Sequence, residues 1–341
     1  MGGSVTLSDV AREAGVSLAT ASRAINGSVN RTVRPELQAR VLAAAERLRY
    51  SPDANAQAMA RGRTMTLGLI VHDISDPYFS AIAAGVAATA EQHGLIVTLA
   101  TTQHKPGREP EFIEVLQSQR ARAIVIAGGR YDDPSSMAAI SRALASYRVA
   151  GGSAALIGQP LLGINTVAVA NVRGAADLAE AMLGLGYRRF GVIGGPASHI
   201  TAKERRTGFL NTVAQAGSPA PNRAIIDSDF TREGGYRGMQ ALLARTDNLE
   251  LVFAVNDVMA LGAMAAARDH GLQIGADIAI AGFDDIATLR DVSPPLTTVH
   301  LPLAELGRLV TELALAEPTP EPEITRVSGK VVVRESTPPH N

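Results

Sequence analysis

The sequence predicts two parts of different build. The first is a small all-α head with helix-turn-helix spacing and a hinge helix; the second is a two-lobed α/β body with parallel, doubly wound sheets. Three observations carry this. Apolar residues in the first 50 positions recur at helical spacing around one tight turn. After Thr64 the text changes to short apolar runs separated by helical stretches. Finally, Gly68, Gly85 and Gly94 recur as Gly191, Gly208 and Gly217, each displaced by 123 residues, which implies two similar lobes.

In the head, Thr6 can cap a first helix whose apolar face is Leu7, Val10, Ala11 and Ala14, and Gly15 stops it. Ser17 caps a second helix after only Gly15 and Val16, with Ala21 and Ile25 inward and Leu18, Ala19, Ser22 and Arg23 outward. Alanines at 11 and 14 suit so short a turn, because the two backbones approach too closely for larger side chains. Pro35 opens a third helix through Leu37, Val41, Ala45 and Leu48, which ends before Tyr50. Asp53 then caps a segment to Arg61 that is too short to hold a helix alone in water and should order only against a partner.

The body opens with LGLIV (67 to 71), followed by LIVTLA (95 to 100), AIVIAG (123 to 128), FGVIG (190 to 194), LVFAV (251 to 255) and IAIAG (278 to 282). Separated by helical stretches of ten or more residues, these runs read as parallel strands with crossover helices. Two doubly wound lobes bind ligands between the carboxyl ends of their strands. The residues at those ends are His72, Asp73, Asp76, Tyr78 and Phe79; Gly129 and Arg130; Arg205; Phe230; Asn256 and Asp257; and Asp284. The set mixes aromatic rings with forked Arg, Asn and Asp side chains, in a chain with seven Phe, six Tyr and no Trp. Rings stack on sugar C–H faces and forked groups pair with adjacent hydroxyls, so this is sugar-binding chemistry.

Composition removes several function classes. At 46% hydrophobic and 19% charged, most of the chain should fold, and 341 residues suggest about two to three domains. There is no cysteine, hence no disulfide, thiolate metal site or cysteine nucleophile, and no metal or cofactor is implied. Asp9, Arg12 and Glu13 interrupt any export signal and no bilayer span is present, so the expectation is a cytoplasmic protein. The first 64 residues hold nine Arg against five Asp plus Glu, while the remainder is acidic, 28 against 23. A basic head on an acidic body points to a polyanion at the head alone.

The first 64 residues resemble the head and hinge of the lactose-repressor (LacI/GalR) family of bacterial transcription regulators, and the resemblance runs on through GFDDI, PPLTTV and VVVRES. It implies a periplasmic-binding-protein-like body. The divisions would be 1–50 as the DNA-binding head, 51–64 as hinge helix and linker, and 65–341 as the effector-binding and dimerisation domain. Within the body, lobe 1 would span about 65–165 plus 297–322, and lobe 2 about 166–296 plus 323–341. It implies that the second helix reads the major groove with Leu18, Ala19 and Arg23, beside Ser22, while Thr6, Ser17 and Asn26 contact phosphates. The family's paired hinge helices wedge the minor groove; Met59 stands where leucine is usual, with Ala56 one turn earlier. The effector site would comprise Asp76, Tyr78, Phe79, Gly129, Arg205, Phe230, Asn256 and Asp284, with Asp257 and Asp285 capping helices or orienting neighbours. His72 replaces a common proline, and Ala170-Asn171 a common Asp-Asn.

The function expected is a homodimeric repressor of sugar-utilisation genes, bound to a palindromic operator and released by a small sugar-like effector. Two alternatives stay open: a co-repressor type whose ligand strengthens DNA binding, and a solute-binding receptor of the same body fold. The absence of GxSxG, HExxH, P-loop and GxGxxG patterns speaks against an enzyme, so no catalytic residue is named. No leucine heptad closes the chain, which speaks against a tetramer.

Overall fold

The computed structural model describes residues 5–26, 32–51, 63–105 and 107–340. It divides into two compact units, residues 1–65 and 66–341. The sequence's hinge residues Ala56 and Met59 lie outside the described residues.

The head packs α1 (Leu7–Glu13), α2 (Leu18–Asn26) and α3 (Pro35–Arg47). Thr6 closes a capping box: its side chain receives the Asp9 N–H, and the Asp9 carboxylate accepts from the Thr6 backbone and hydroxyl at 3.0 and 2.7 Å. Ser17 Oγ accepts from Thr20 N at 3.1 Å, capping α2. The buried core is Val10, Ala11, Ala14, Ala21, Ala24, Val41 and Ala44. The sequence reading assigned Ile25 and Ala45 to this core; the structure buries Ala24 and Ala44 there and leaves the other two at its rim. Helices crossing this closely admit a methyl at the centre and push the longer side chain outward.

In the body, lobe 1 is built on β1 (Thr66–Val71), α4 (Pro77–Gln92), β2 (Ile96–Thr101), α5 (Arg108–Ser118), β3 (Ala123–Ala127), α6 (Pro134–Val149), β4 (Ser153–Ile157) and β5 (Asn165–Val169). Lobe 2 continues with α7 (Asn171–Gly184), β6 (Phe190–Gly194), α8 (Ile200–Gln215), β7 (Ile225–Asp227), α9 (Arg232–Arg245), β8 (Leu251–Ala254), α10 (Asp257–Asp269) and β9 (Ala279–Ala281). The chain closes with β10 (Thr298–His300), α11 (Leu303–Leu315), β11 (Ile324–Val327) and β12 (Lys330–Val332). The lobe 1 sheet runs β11-β5-β4-β3-β1-β2 and the lobe 2 sheet β7-β6-β8-β9, all parallel. Apolar strands such as β3, buried at every position, carry helices on both faces.

The strand order moves the lobe boundaries from where the sequence reading put them. β5 and β11 both lie in the lobe 1 sheet, with Ile324 in register with Thr166. β10 instead pairs antiparallel with β12 and bridges to Ala281 and Asp284 of lobe 2. The chain therefore crosses near Ala170, between His300 and Leu303, and between Val327 and Lys330. Apolar runs reveal strands but not which sheet an edge strand joins.

The glycine echo has a structural counterpart. A Cβ on Gly85 in α4 would lie 2.0 Å from the Ala304 carbonyl oxygen of α11, and one on Gly208 in α8 would lie 2.2 Å from the Val172 carbonyl oxygen of α7. Each lobe thus crosses two helices through one glycine. Gly94 and Gly217 close α4 and α8 with φ of 66° and 78°. No helix among the described residues is long and apolar enough to cross a membrane.

Candidate functional site: the cleft between the lobes

All eight effector residues named from the sequence line one pocket at the carboxyl ends of the two sheets: Asp76, Tyr78, Phe79 and Gly129 from lobe 1, and Arg205, Phe230, Asn256 and Asp284 from lobe 2. Local chemistry fixes several of them. Asp76 caps α4, accepting from Tyr78 N at 2.9 Å, and Asn256 caps α10, accepting from Met259 N at 2.9 Å. Gly129 sits where a Cβ would strike Thr201 Oγ1 of the opposite lobe at 2.3 Å.

Arg205 is the centre of the site. Its side chain is 3% exposed; Nε donates to Asn171 Oδ1 at 2.9 Å, Nη1 donates to the Val255 carbonyl at 2.9 Å, and Nη2 lies 2.8 Å from Asp284 Oδ1. Its guanidinium carbon stands 3.9 Å from the centroid of the Phe283 ring. Asp284 Oδ1 accepts no well-directed hydrogen bond, so the Arg205 approach is an ion pair of poor alignment. Asp284 also has φ of 120°, a conformation that side chains resist, and Asp285 follows at 58°.

Burial pushes the Asp284 carboxyl above the usual range, with Arg205 opposing it. Burial likewise raises Asp76 to about 6 and lifts the Tyr78 phenol. A carboxylate kept in a dry site beside one cation, at a strained backbone position, is poised to accept hydroxyl donors from a ligand.

Sequence reasoning missed His104, Thr201 and His199, and left Asn171 open. Asn171 bridges Glu204 and Arg205, donating to the former at 2.9 Å and accepting from the latter. The imidazole of His199 stacks on Phe230 with centroids 4.6 Å apart, and burial lowers it to about 3, so both platform rings are neutral at ordinary pH. His72 is also neutral, lowered to about 4 by burial; its nitrogens lie 3.1 Å from Thr102 Oγ1 and 3.3 Å from the Gly129 carbonyl. Arg130 turns away from the pocket: its guanidinium grips Glu109 through two bonds of 2.8 and 2.9 Å. Asp257 serves the fold, accepting from Thr298 Oγ1 and Ile286 N, and Asp285 holds Arg334 and His300.

The lobes are stitched across the cleft. Asp132 N donates to the Ser198 carbonyl at 2.7 Å and Ile200 N to the Arg130 carbonyl at 2.9 Å, while Gln159 of lobe 1 donates to Thr201 and Glu204. Drawn together in this way, the central pocket keeps about 30 Å³ of free space, room for about two waters. Among the described residues no group of three His, Asp or Glu could hold a metal ion.

In the head, Leu18 is 51% exposed, Ala19 is exposed beside it, and Arg23 Nε rests on the Ala19 carbonyl at 3.0 Å. Ser22 and Asn26 lie along the same helix, joined by a 3.3 Å bond. Ser17 and Thr6 are exposed at the starts of α2 and α1. One face of α2 thus presents a forked cation, two apolar side chains and short polar groups to solvent.

Comparison with known proteins accounts for both units. Residues 6–53 match the bacterial regulatory proteins of the lacI family, and residues 179–337 match the periplasmic binding protein-like domain. The HTH-type transcriptional regulator GalS of Salmonella typhimurium is 36% identical over 315 residues, covering 91% of this chain and 89% of that protein. The chain belongs to the LacI family of bacterial transcription regulators. Among solved structures, the lac repressor dimer bound to operator and the anti-inducer ONPF superposes with a TM-score of 0.82 at 25% identity, covering 98% of this chain and all of that one. The complex of the regulator CelR with cellobiose gives 0.70 at 28% identity, covering 97% and 99%.

Proposed function

We propose that this LacI-family regulator is a homodimeric, cytoplasmic repressor, not an enzyme, that grips a palindromic operator and releases it when a sugar enters the cleft. The observation that carries this reading is the convergence of Arg205, Asn256 and Asp284 with Tyr78, Phe79 and Phe230 in one pocket of a chain whose head exposes Leu18 and Ala19 beside Arg23 on one helix face. Arg23, beside Ser22, would read a guanine through two bonds, Leu18 and Ala19 would touch thymine methyls, and Thr6, Ser17 and Asn26 would set the register on the phosphates. Ala56 and Met59 would pair and wedge the central step. In the cleft, sugar hydroxyls would take over the imperfect Arg205 to Asp284 contact while Phe230 faces a ring C–H surface.

The homodimer has a suitable face. β2 is an edge strand of the lobe 1 sheet, and there Ile96 is 74% exposed, with Leu99 and Val115 exposed beside it. A second copy would cover these side chains. The relatives bear on the ligand class: CelR was solved with cellobiose, and the lac repressor was solved as an operator-bound dimer.

The test is selection of binding sites from random duplexes, repeated with common sugars and glycosides present. A near-palindrome lost on adding sugar is the expected result, with affinity falling about 5- to 150-fold. Enrichment only with sugar present would make the ligand a co-repressor, and no enrichment in either condition would overturn the regulator reading.

A further inference from the structure

Beside the central pocket lies a second chamber of about 160 Å³, sharing His72 and His104 with it. Its walls come from lobe 1: Thr102 and His104 after β2, Glu109 at the start of α5, Tyr131 after β3 and Ser136 in α6; Ser198 is its one contribution from lobe 2. We propose that this chamber is a second-ring subsite, so that the effector is a neutral disaccharide with one ring at Arg205 and Asp284 and the other under the His104 loop. The inference rests on the sugar reading above and assigns it a ligand length.

Size, chemistry and placement agree. A cavity of roughly 150 Å³ holds a benzene-sized ring, and this chamber matches that, whereas the central pocket must open before it admits one. The chamber is lined by three rings: His104 lies 5.1 Å from His72 and Tyr131 6.3 Å from it, centroid to centroid. Its charges cancel, since Glu109 is locked to Arg130 while Lys105 and Asp133 both line the space, and burial lowers both imidazoles toward the neutral form. Ring faces with hydroxyl partners and no net charge suit an uncharged pyranose better than a phosphorylated or acidic sugar.

The loop that roofs the chamber is held in a tight conformation. Gln103 and His104 are consecutive left-handed residues, at φ of 52° and 56°, before Gly107 at 83°. Such strain persists where surroundings impose it, and here it places the His104 ring between the two chambers. Because lobe 1 supplies nearly every wall, the chamber keeps its shape when the lobes part. The second ring can therefore dock on lobe 1 before the lobes close on the first.

The test is calorimetric titration of the full chain with matched sets: glucose beside cellobiose and maltose, galactose beside lactose and melibiose, and xylose beside xylobiose. At least one disaccharide should bind roughly tenfold more tightly than its component monosaccharide, as one further stacked ring with a hydroxyl partner provides. Ser136→Phe, which fills the chamber, should erase that gap and leave the monosaccharide within about twofold, and His104→Gly, which removes the ring while permitting the left-handed backbone, should narrow the gap. A monosaccharide that binds as well as every disaccharide, or a disaccharide advantage that survives both substitutions, would overturn the subsite while leaving the sugar reading intact. Binding of none of these sugars would overturn the sugar reading itself.

Discussion

The two halves of the Arg205 to Asp284 pair should not be equivalent. Arg205→Met keeps the stem and removes the guanidinium, which strips a partner from Asn171 Oδ1, the Val255 carbonyl and the Asp284 carboxyl at once. A neutral acceptor left bare in a dry site costs about 1–3 kcal/mol. Asp284 escapes the full penalty of a naked charge by taking a proton, toward which burial already biases it. The sum is about 3–5 kcal/mol, in the range for breaking one side of a buried pair.

Asp284→Asn differs. Arg205 retains Asn171, the Val255 carbonyl, the Phe283 ring and the nearby Asp76, and asparagine tolerates positive φ better than most residues. That loss should stay within about 1 kcal/mol. For a body of this size roughly 2 °C accompanies each kcal/mol, so melting at pH 7 should fall about 6–10 °C for Arg205→Met and about 2 °C for Asp284→Asn. Both variants should bind operator and fail to release it with sugar. Equal melting shifts, or a larger one for Asp284→Asn, would refute the asymmetry.

His72 and His199 are depressed to about 4 and about 3, so their contribution to stability is present above about pH 6.5 and is lost as pH falls through the folded values, while the raised carboxyls of Asp76 and Asp257 act in the opposite sense. Between pH 7 and pH 5 the His72→Gln variant should therefore lose fewer degrees of melting temperature than the parent; a larger loss would contradict the assignment. Gly85→Ala forces a Cβ onto the α11 backbone and should cost about 3 kcal/mol or more in urea denaturation, whereas Gly217→Ala, with open space around it, should cost about 1 kcal/mol from its φ alone. Arg23→Ala should relax discrimination at one base pair by about 1–3 kcal/mol in competition binding, with the other positions unchanged.

The pocket was legible because a doubly wound sheet exposes its strand ends in one place: once the apolar runs at 67–71, 190–194 and 251–255 are strands, the residues after them must meet. Arg130 shows the limit of that rule. It follows β3 as the pattern requires, yet Glu109, from a helix whose direction no run reveals, draws its side chain away. His104 was invisible because its place depends on two left-handed residues without a glycine to announce them. Ala24 and Ala44 were overlooked in favour of larger neighbours, since periodicity marks a face but not how closely two helices approach along it.

The lobe 1 sheet takes its edge strand β11 from residues 324–327, and α11, whose Leu306 and Val310 are fully buried, arrives only after most of lobe 2 has been spelled out. During synthesis, then, the first lobe to leave the ribosome waits for residues 303–327 before its sheet and its helix layer are complete. The head can fold while the body still shows an unfinished sheet and a bare helix groove, so a nascent chain holds its helix-turn-helix unit before it holds a whole cleft. A frameshift near residue 300 would leave neither lobe whole.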